Sequence, residues 1–256
     1  MTFHQFQEPI PHALERWSSW AEPSQRKDES PANRFSEIND RLADVRAKIK
    51  HESICTPSVV AFLLLSVDNE LELWRRTLPP SWKYRRYMSL NPWTDTYKSH
   101  YDLYSDLWIA SVWNSYRSVR LMIHEHIMST TLKYGLEEDK ELLQITTTVL
   151  QDMADDVCHS VPFHLGHQSQ IDVELTLDDV HVAIPGGYLL MWPLFLSGML
   201  RTTPTAQKRW IASKLRQIGV RMGLRLAFSM SEKLVEMDNN SFSDSKVWFI
   251  GEWYPK

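Results

Sequence analysis

Phe35, Ile38, Leu42, Val45 and Ile49 recur at spacings of three and four. That spacing predicts a helix with these residues on its buried face and Glu37, Asp40, Arg41, Arg46 and Lys48 outside. Thr56-Pro57 offers a cap and a first-turn proline to the next helical series, Val60, Leu63, Leu64, Val67, Leu71, Trp74 and Leu78. Pro79-Pro80 ends it, and residues 81–104, rich in Trp, Tyr and Arg, read as a loop. Residues 106–134 contain neither Gly nor Pro and close at Gly135, which predicts one long helix. Its inward face is Ile109, Val112, Trp113, Tyr116, Val119, Ile123 and Ile127.

A further helix is predicted over 137–160, with an acidic first turn (Glu137, Glu138, Asp139) suited to the helix dipole. Leu142, Ile145, Val149, Met153 and Val157 form its inner stripe. Pro162 is expected to stop it, because a proline pushes the residue before it toward extended geometry. Residues 171–184 alternate polar and apolar and read as a loop or one short strand. Gly186-Gly187 is expected to turn the backbone ahead of an apolar helix. The last element, 205–236, carries Ile211, Leu215, Ile218, Met222 and Leu226 inward, with Lys208, Arg209, Lys214, Arg216, Arg221 and Arg225 outward. Polar residues 21–34, with Pro23 and Pro31, read as a lead-in. The expected organisation is a flexible segment 1–34 and a single all-α, irregular multi-helix domain 35–256.

Composition narrows the function classes. At 256 residues the chain is long enough for a core without disulfides or metals. Its 28 basic and 32 acidic residues give a net charge of -4, so no general positive field draws in nucleic acid. Two cysteines, Cys55 and Cys158, exclude a disulfide framework and any multi-cysteine zinc module within these residues. The first glycine is Gly135, so no Gly-rich phosphate loop precedes it. The polar N-terminus, broken by Pro9, has no apolar core of a signal peptide, and the expected location is intracellular, nucleus or cytoplasm, not secreted. The longest apolar run, Gly186–Leu200, falls short of the ~20 residues a membrane span needs and holds Pro193, so it reads as core.

Strong catalytic signatures (GxSxG, a GK[ST] phosphate loop, GxGxxG, HExxH) are absent from the sequence. Asp155-Asp156 resembles a metal-binding carboxylate pair but lacks a third downstream acid, and a solvated helix face is the preferred reading. Cys158, His159, His164 and His167 carry the right donor atoms for zinc, at a spacing that does not match usual sites. No metal and no cofactor is therefore expected. His124 and His126 point to different faces of one helix and cannot chelate together; either suits acid–base work, and a surface histidine is the plainer reading. Aromatics crowd residues 74–116 among Arg75, Arg76, Arg85, Arg86, Arg117 and Arg120. They form either a core with aromatics at its rim or a pocket for a planar ligand.

Four strings in order carry a resemblance. They are Leu78-Pro79-Pro80-Ser81-Trp82-Lys83-Tyr84, the run from Asp106 through Trp113-Asn114-Ser115-Tyr116-Arg117 to Arg120, Ser160-Val161-Pro162-Phe163-His164-Leu165-Gly166, and Gly186-Gly187-Tyr188-Leu189-Leu190-Met191-Trp192-Pro193-Leu194-Phe195. With the amphipathic helix that follows, residues 57–236 resemble the C-terminal half of the regulatory region of fungal zinc-cluster transcription factors. The resemblance implies an all-helical module that tunes a DNA-binding domain. The family's six-cysteine zinc reader has no counterpart among the residues here, so direct DNA reading is not carried over.

Two functions remain open. One is a regulator-like helical protein without its own DNA-binding domain, acting through a protein partner or a small hydrophobic effector; the resemblance ties it to fungal secondary metabolism. The other is a module repurposed as a cofactor-independent cyclase, isomerase or dehydratase working on a hydrophobic metabolite in an apolar pocket. Catalytic candidates are His124, His164 and Tyr116, and ligand-binding candidates are Arg117, Arg120, Tyr188 and Trp192. Neither a nucleic-acid nor a membrane partner is expected.

Overall fold

The computed structural model describes residues 30–89, 96–136, 139–166 and 179–239, with side chains from 186 to 238 in the last stretch. Among these, seven α-helices and one two-stranded hairpin occur in the order α1 (Ser30–His51), α2 (Pro57–Thr77), β1 (Arg85–Met88), β2 (His100–Leu103), α3 (Leu107–Tyr134), α4 (Lys140–His164), α5 (Asp179–Met199), α6 (Thr205–Met222) and α7 (Arg225–Asn239). The all-α expectation holds, with the hairpin as its one exception.

Helix α1 starts at Ser30, so residues 30–34 form its first turn rather than the end of a lead-in. Pro31 sits where a missing N–H costs nothing, and its carbonyl accepts from Trp74 Nε1 at 2.7 Å, which ties α1 to α2. Thr56 caps α2 by position alone, without a side-chain bond. Asp106 does cap α3: its Oδ1 accepts the Ile109 N–H at 2.8 Å.

The segment expected as a loop contains the antiparallel hairpin, with Arg86 opposite Asp102 and Tyr87 opposite Tyr101. Both pairs are favourable cross-strand partners, one ionic and one with stacked rings 5.6 Å apart. All four β1 residues are exposed, so no in-out alternation marks the strand.

Helix α4 does not stop at Pro162 but carries it inside and ends at His164. Proline that late removes a single intrahelical bond. Residues 157–164 are all buried, and Ser160 packs on α3, so tertiary contacts outweigh that loss. Glu137, Glu138, His167 and residues 171–178 lie outside the described residues. Residues 179–184, part of the expected loop or strand, belong to α5, and Gly186-Gly187 lie within that helix instead of turning ahead of it. Their role is close approach: a Cβ on Gly186 would sit 2.0 Å from the carbonyl oxygen of His164.

The expected 205–236 element is two helices. Gly223, at φ +66°, ends α6 in the left-handed conformation, and Gly219 leaves room for the Phe228 ring of α7. Leu226 and Ile145, expected inward, are exposed. Lys214, expected outward, is buried with its ammonium 5.1 Å from the Trp210 ring.

Helix α3 is central, packing on α2, α4 and α5, while α6 and α7 pair beyond α5. One apolar cluster joins α1, α2 and α3 through Phe35, Leu42, Leu64, Leu71, Trp74 and Trp113. A second gathers Val157, Leu190, Leu194, Ile211, Leu215 and Ile218 of α4 to α6. Each fully buried Leu or Ile in them contributes roughly 1.5–3 kcal/mol. Among the described residues, no helix is long and apolar enough to cross a membrane.

Candidate functional site

Helix α3 carries polar groups on two faces, and each face meets carboxylates from a different neighbour. Tyr116, Arg120 and His124 lie four residues apart and so line up on one side, against Asp68 and Glu72 of α2, themselves four apart. Arg120 grips Asp68 with both ends of its fork, Nε to Oδ1 at 2.7 Å and Nη2 to Oδ2 at 2.9 Å, and donates Nη1 to Glu72. Tyr116 donates its hydroxyl to Glu72 at 2.8 Å, and His124 Nε2 lies 3.3 Å from Asp68 Oδ2. Burial pushes the Asp68 carboxyl upward, but the His124 ring beside it and the hydrogen bonds from Arg120 reverse this and hold it below its ordinary value. Glu72 is likewise held low against burial, by Arg75 and Tyr116. Burial raises the Tyr116 phenol well above the usual range, so it stays a neutral donor.

The second network lies on the seam between α3, α4 and the hairpin. Arg117 is 1% exposed; its Nη1 donates to Tyr104 Oη (2.7 Å) and Asn114 Oδ1 (2.9 Å), and its Nη2 to Asp102 Oδ2 (3.1 Å). Asp102 also receives Arg86 Nε at 2.7 Å, and Arg86 reaches on to Asp156 at 2.7 Å. Because Arg117 claims the Asn114 oxygen, the Asn114 amide nitrogen faces Ser160 Oγ (2.9 Å) and His164 Nε2 (3.0 Å). His164 Nε2 must then accept, which fixes the neutral ring with its proton on Nδ1. Burial, with Arg117 nearby, drives its pKa down to about 4.

The sequence candidates thus separate into two groups. Tyr116, Arg120 and His124 share one network, and Arg117 and His164 share the other. Tyr188 is 63% exposed on α5, and Trp192 is half-buried, packed against Phe195 and the second core. His124, expected at the surface, is 1% exposed. Asp155 and Asp156, expected on a solvated face, are ion-paired with Lys98 and Arg86. Burial raises the Asp156 carboxyl, and His159, Arg117 and Arg86 together pull it down to about 2. Cys158 is buried with its thiol pushed up to about 12, and Gln207 donates to it. Among the described residues, no group of three or more His, Cys, Asp or Glu stands ready for a metal.

Sequence reasoning passed over Asp68, Glu72, Asp102 and Asn114. The signal for the first two was present as an acidic pair at helical spacing inside an otherwise apolar stripe.

Above these networks opens a cleft of about 440 Å³, lined by Arg75, Arg76, Lys83, Tyr84, Arg86 and Trp113. Tyr84 lies part-exposed along it and meets the buried Trp113 ring edge to face at 4.8 Å. Neither His124 nor His164 borders it.

The transcription factor dbaG of Emericella nidulans is 25% identical to this chain over 170 residues. The likeness is to a fungal transcription factor. It takes in 62% of this chain, which spans about two fifths of that relative's length (40%). No family model and no solved structure matches.

Proposed function

We propose that this chain is a regulator-like helical module that acts through a bound small effector or a protein partner. The setting we propose is intracellular, in nucleus or cytoplasm, and tied to fungal secondary metabolism as the family resemblance implies. The observation that carries the reading is the likeness to dbaG. The state of the candidate bases supports it over an enzyme. A general acid or base must reach the proton it transfers. His124 and His164 are 1% and 0% exposed, and each faces a partner inside the protein.

A reporter tests this. The chain is fused to a bacterial repressor's DNA-binding domain and placed before a reporter gene in a fungal cell. The expected result is output several-fold above or below that of the DNA-binding domain alone. Equal output from a folded fusion present at equal amount refutes the proposal. Conversion of a metabolite by the purified chain, lost on His164→Gln or His124→Gln at unchanged melting temperature, establishes the enzyme instead.

A further inference from the structure

The cleft above α3 has a charge that its own protein does not neutralise. Four cations border it, Arg75, Arg76, Lys83 and Arg86, with Arg117 and Arg120 buried in the networks beside it, and the carboxylates paired with these six are four, Glu72, Asp68, Asp102 and Asp156. Glu72 alone serves Arg75, Arg76 and Arg120, and Arg76 lies 3.8 Å from it with a side chain 72% exposed. Lys83 has no side-chain partner among the described residues. Two positive charges are left over, and both belong to side chains that border the opening.

The cations surround an aromatic surface. Arg117 lies 5.0 Å from the Tyr84 ring centroid on one side, and Arg86 lies 5.7 Å from it. Tyr84 and Trp113 are held by a contact between their rings, and Trp113 Nε1 is anchored to the Trp82 carbonyl at 2.8 Å. The wall is therefore preformed, and its position follows from core packing. A volume near 440 Å³ suits a ligand of one or two fused rings. Ionic attraction draws in a negative group, and a flat π face adds stacking that a saturated ring cannot supply.

We infer that this cleft binds a planar aromatic anion, a carboxylate or phenolate, with Lys83 and Arg76 holding the charged group and the part-exposed Tyr84 ring, backed by the buried Trp113, holding the ligand ring. That such a ligand acts as an effector rests on the regulatory reading above; that it binds does not.

The full chain is titrated calorimetrically with 1-naphthoate, 1-naphthamide, cyclohexanecarboxylate and inorganic phosphate at low salt. The expected result is saturable 1:1 binding of 1-naphthoate. The neutral amide, the saturated acid and phosphate should each bind about tenfold or more weakly, because each lacks the charge or the π face. Lys83→Ala with Arg76→Ala should weaken 1-naphthoate about tenfold, while Lys48→Ala on α1 leaves it unchanged. Both cleft side chains are exposed, so circular dichroism and melting should match the parent. No binding of 1-naphthoate to the folded parent overturns the inference. Equal affinity for the amide, the saturated acid or phosphate does so too, as does an unchanged affinity in the double variant. A reporter fusion that stays silent while calorimetry gives the expected pattern overturns the regulatory reading and leaves the site standing.

Discussion

Acidification from pH 7 to 4 should weaken this fold through His164. The ring is fully buried, and Asn114, oriented by Arg117, presents an N–H to Nε2, so a proton there would face another donor. In the unfolded chain the same imidazole titrates near 6.5, whereas in the fold its pKa is about 4. The depressed value means the unfolded state takes up the proton first as pH falls. Stability is whole above pH 7 and is lost between pH 7 and 4. The difference, at 1.36 kcal/mol per pH unit, comes to about 3 kcal/mol. His126, which burial and Arg46 hold at about 4, adds a loss in the same direction and window. Urea unfolding followed by far-UV circular dichroism at pH 7, 6, 5 and 4, on the parent and on His164→Gln, isolates the term. Glutamine still offers Asn114 an acceptor and does not titrate. His126 and the carboxylates contribute to both proteins and cancel. The variant's stability should therefore fall about 3 kcal/mol less than the parent's over that range, whatever packing it loses at pH 7. Parallel curves would show that His164 is not held neutral by its surroundings.

Arg117→Met should cost about 3–5 kcal/mol in urea unfolding, since Asp102 is fully buried and Asn114 and Tyr104 lose a donor with it. A loss under about 1 kcal/mol would mean Arg86 alone satisfies Asp102. Gly186→Ala should destabilise by about 1–3 kcal/mol or more, because its Cβ meets a backbone oxygen that cannot rotate away. Gly223→Ala, with nothing within 4 Å, should cost only about 1 kcal/mol of left-handed backbone strain, and the reverse order in thermal melts would refute both accounts. A chelator should leave the melting temperature unchanged, as the described residues offer no set of three donors; a fall of several degrees with release of stoichiometric zinc would contradict this.

The helices were legible where one face is buried and the other wet. The stripe from Phe35 to Ile49 placed α1 by periodicity, and that from Val60 to Leu78, bounded by Thr56-Pro57 and Pro79-Pro80, placed α2. Boundaries failed where tertiary contact overrode a local rule. Pro162 stays in α4 because its surroundings hold the last turn, and Gly186 serves packing against α4 although its chemistry also suits a turn. The α6–α7 break was hidden because Met222 and Leu226 keep helical spacing across Gly223. The hairpin was illegible because β1 has no buried face to imprint alternation.

The candidate site was legible in its residue types and not in its partners. Tyr116, Arg117, Arg120 and His124 stand out as polar groups in a helix that must be largely buried. Whether they face a ligand or a carboxylate depends on what α2, the hairpin and α4 bring to them, and that pairing lies 13 to 52 residues away in sequence. Once paired, they specify orientation more than they add stability, because desolvating Arg117 and Arg120 offsets much of what their ion pairs return. An apolar seam would tolerate a slip of α3 against α2 or α4. Asp68, Glu72 and Asp102 tolerate none, since a shift of one turn would leave a buried carboxylate without its guanidinium. The fixed register has a consequence at the surface. Arg86 is committed to Asp102 and Asp156, and Glu72 is divided among Arg75, Arg76 and Arg120. The internal acids are used up by the networks that lock the helices, and the cations left over sit at the mouth of the cleft.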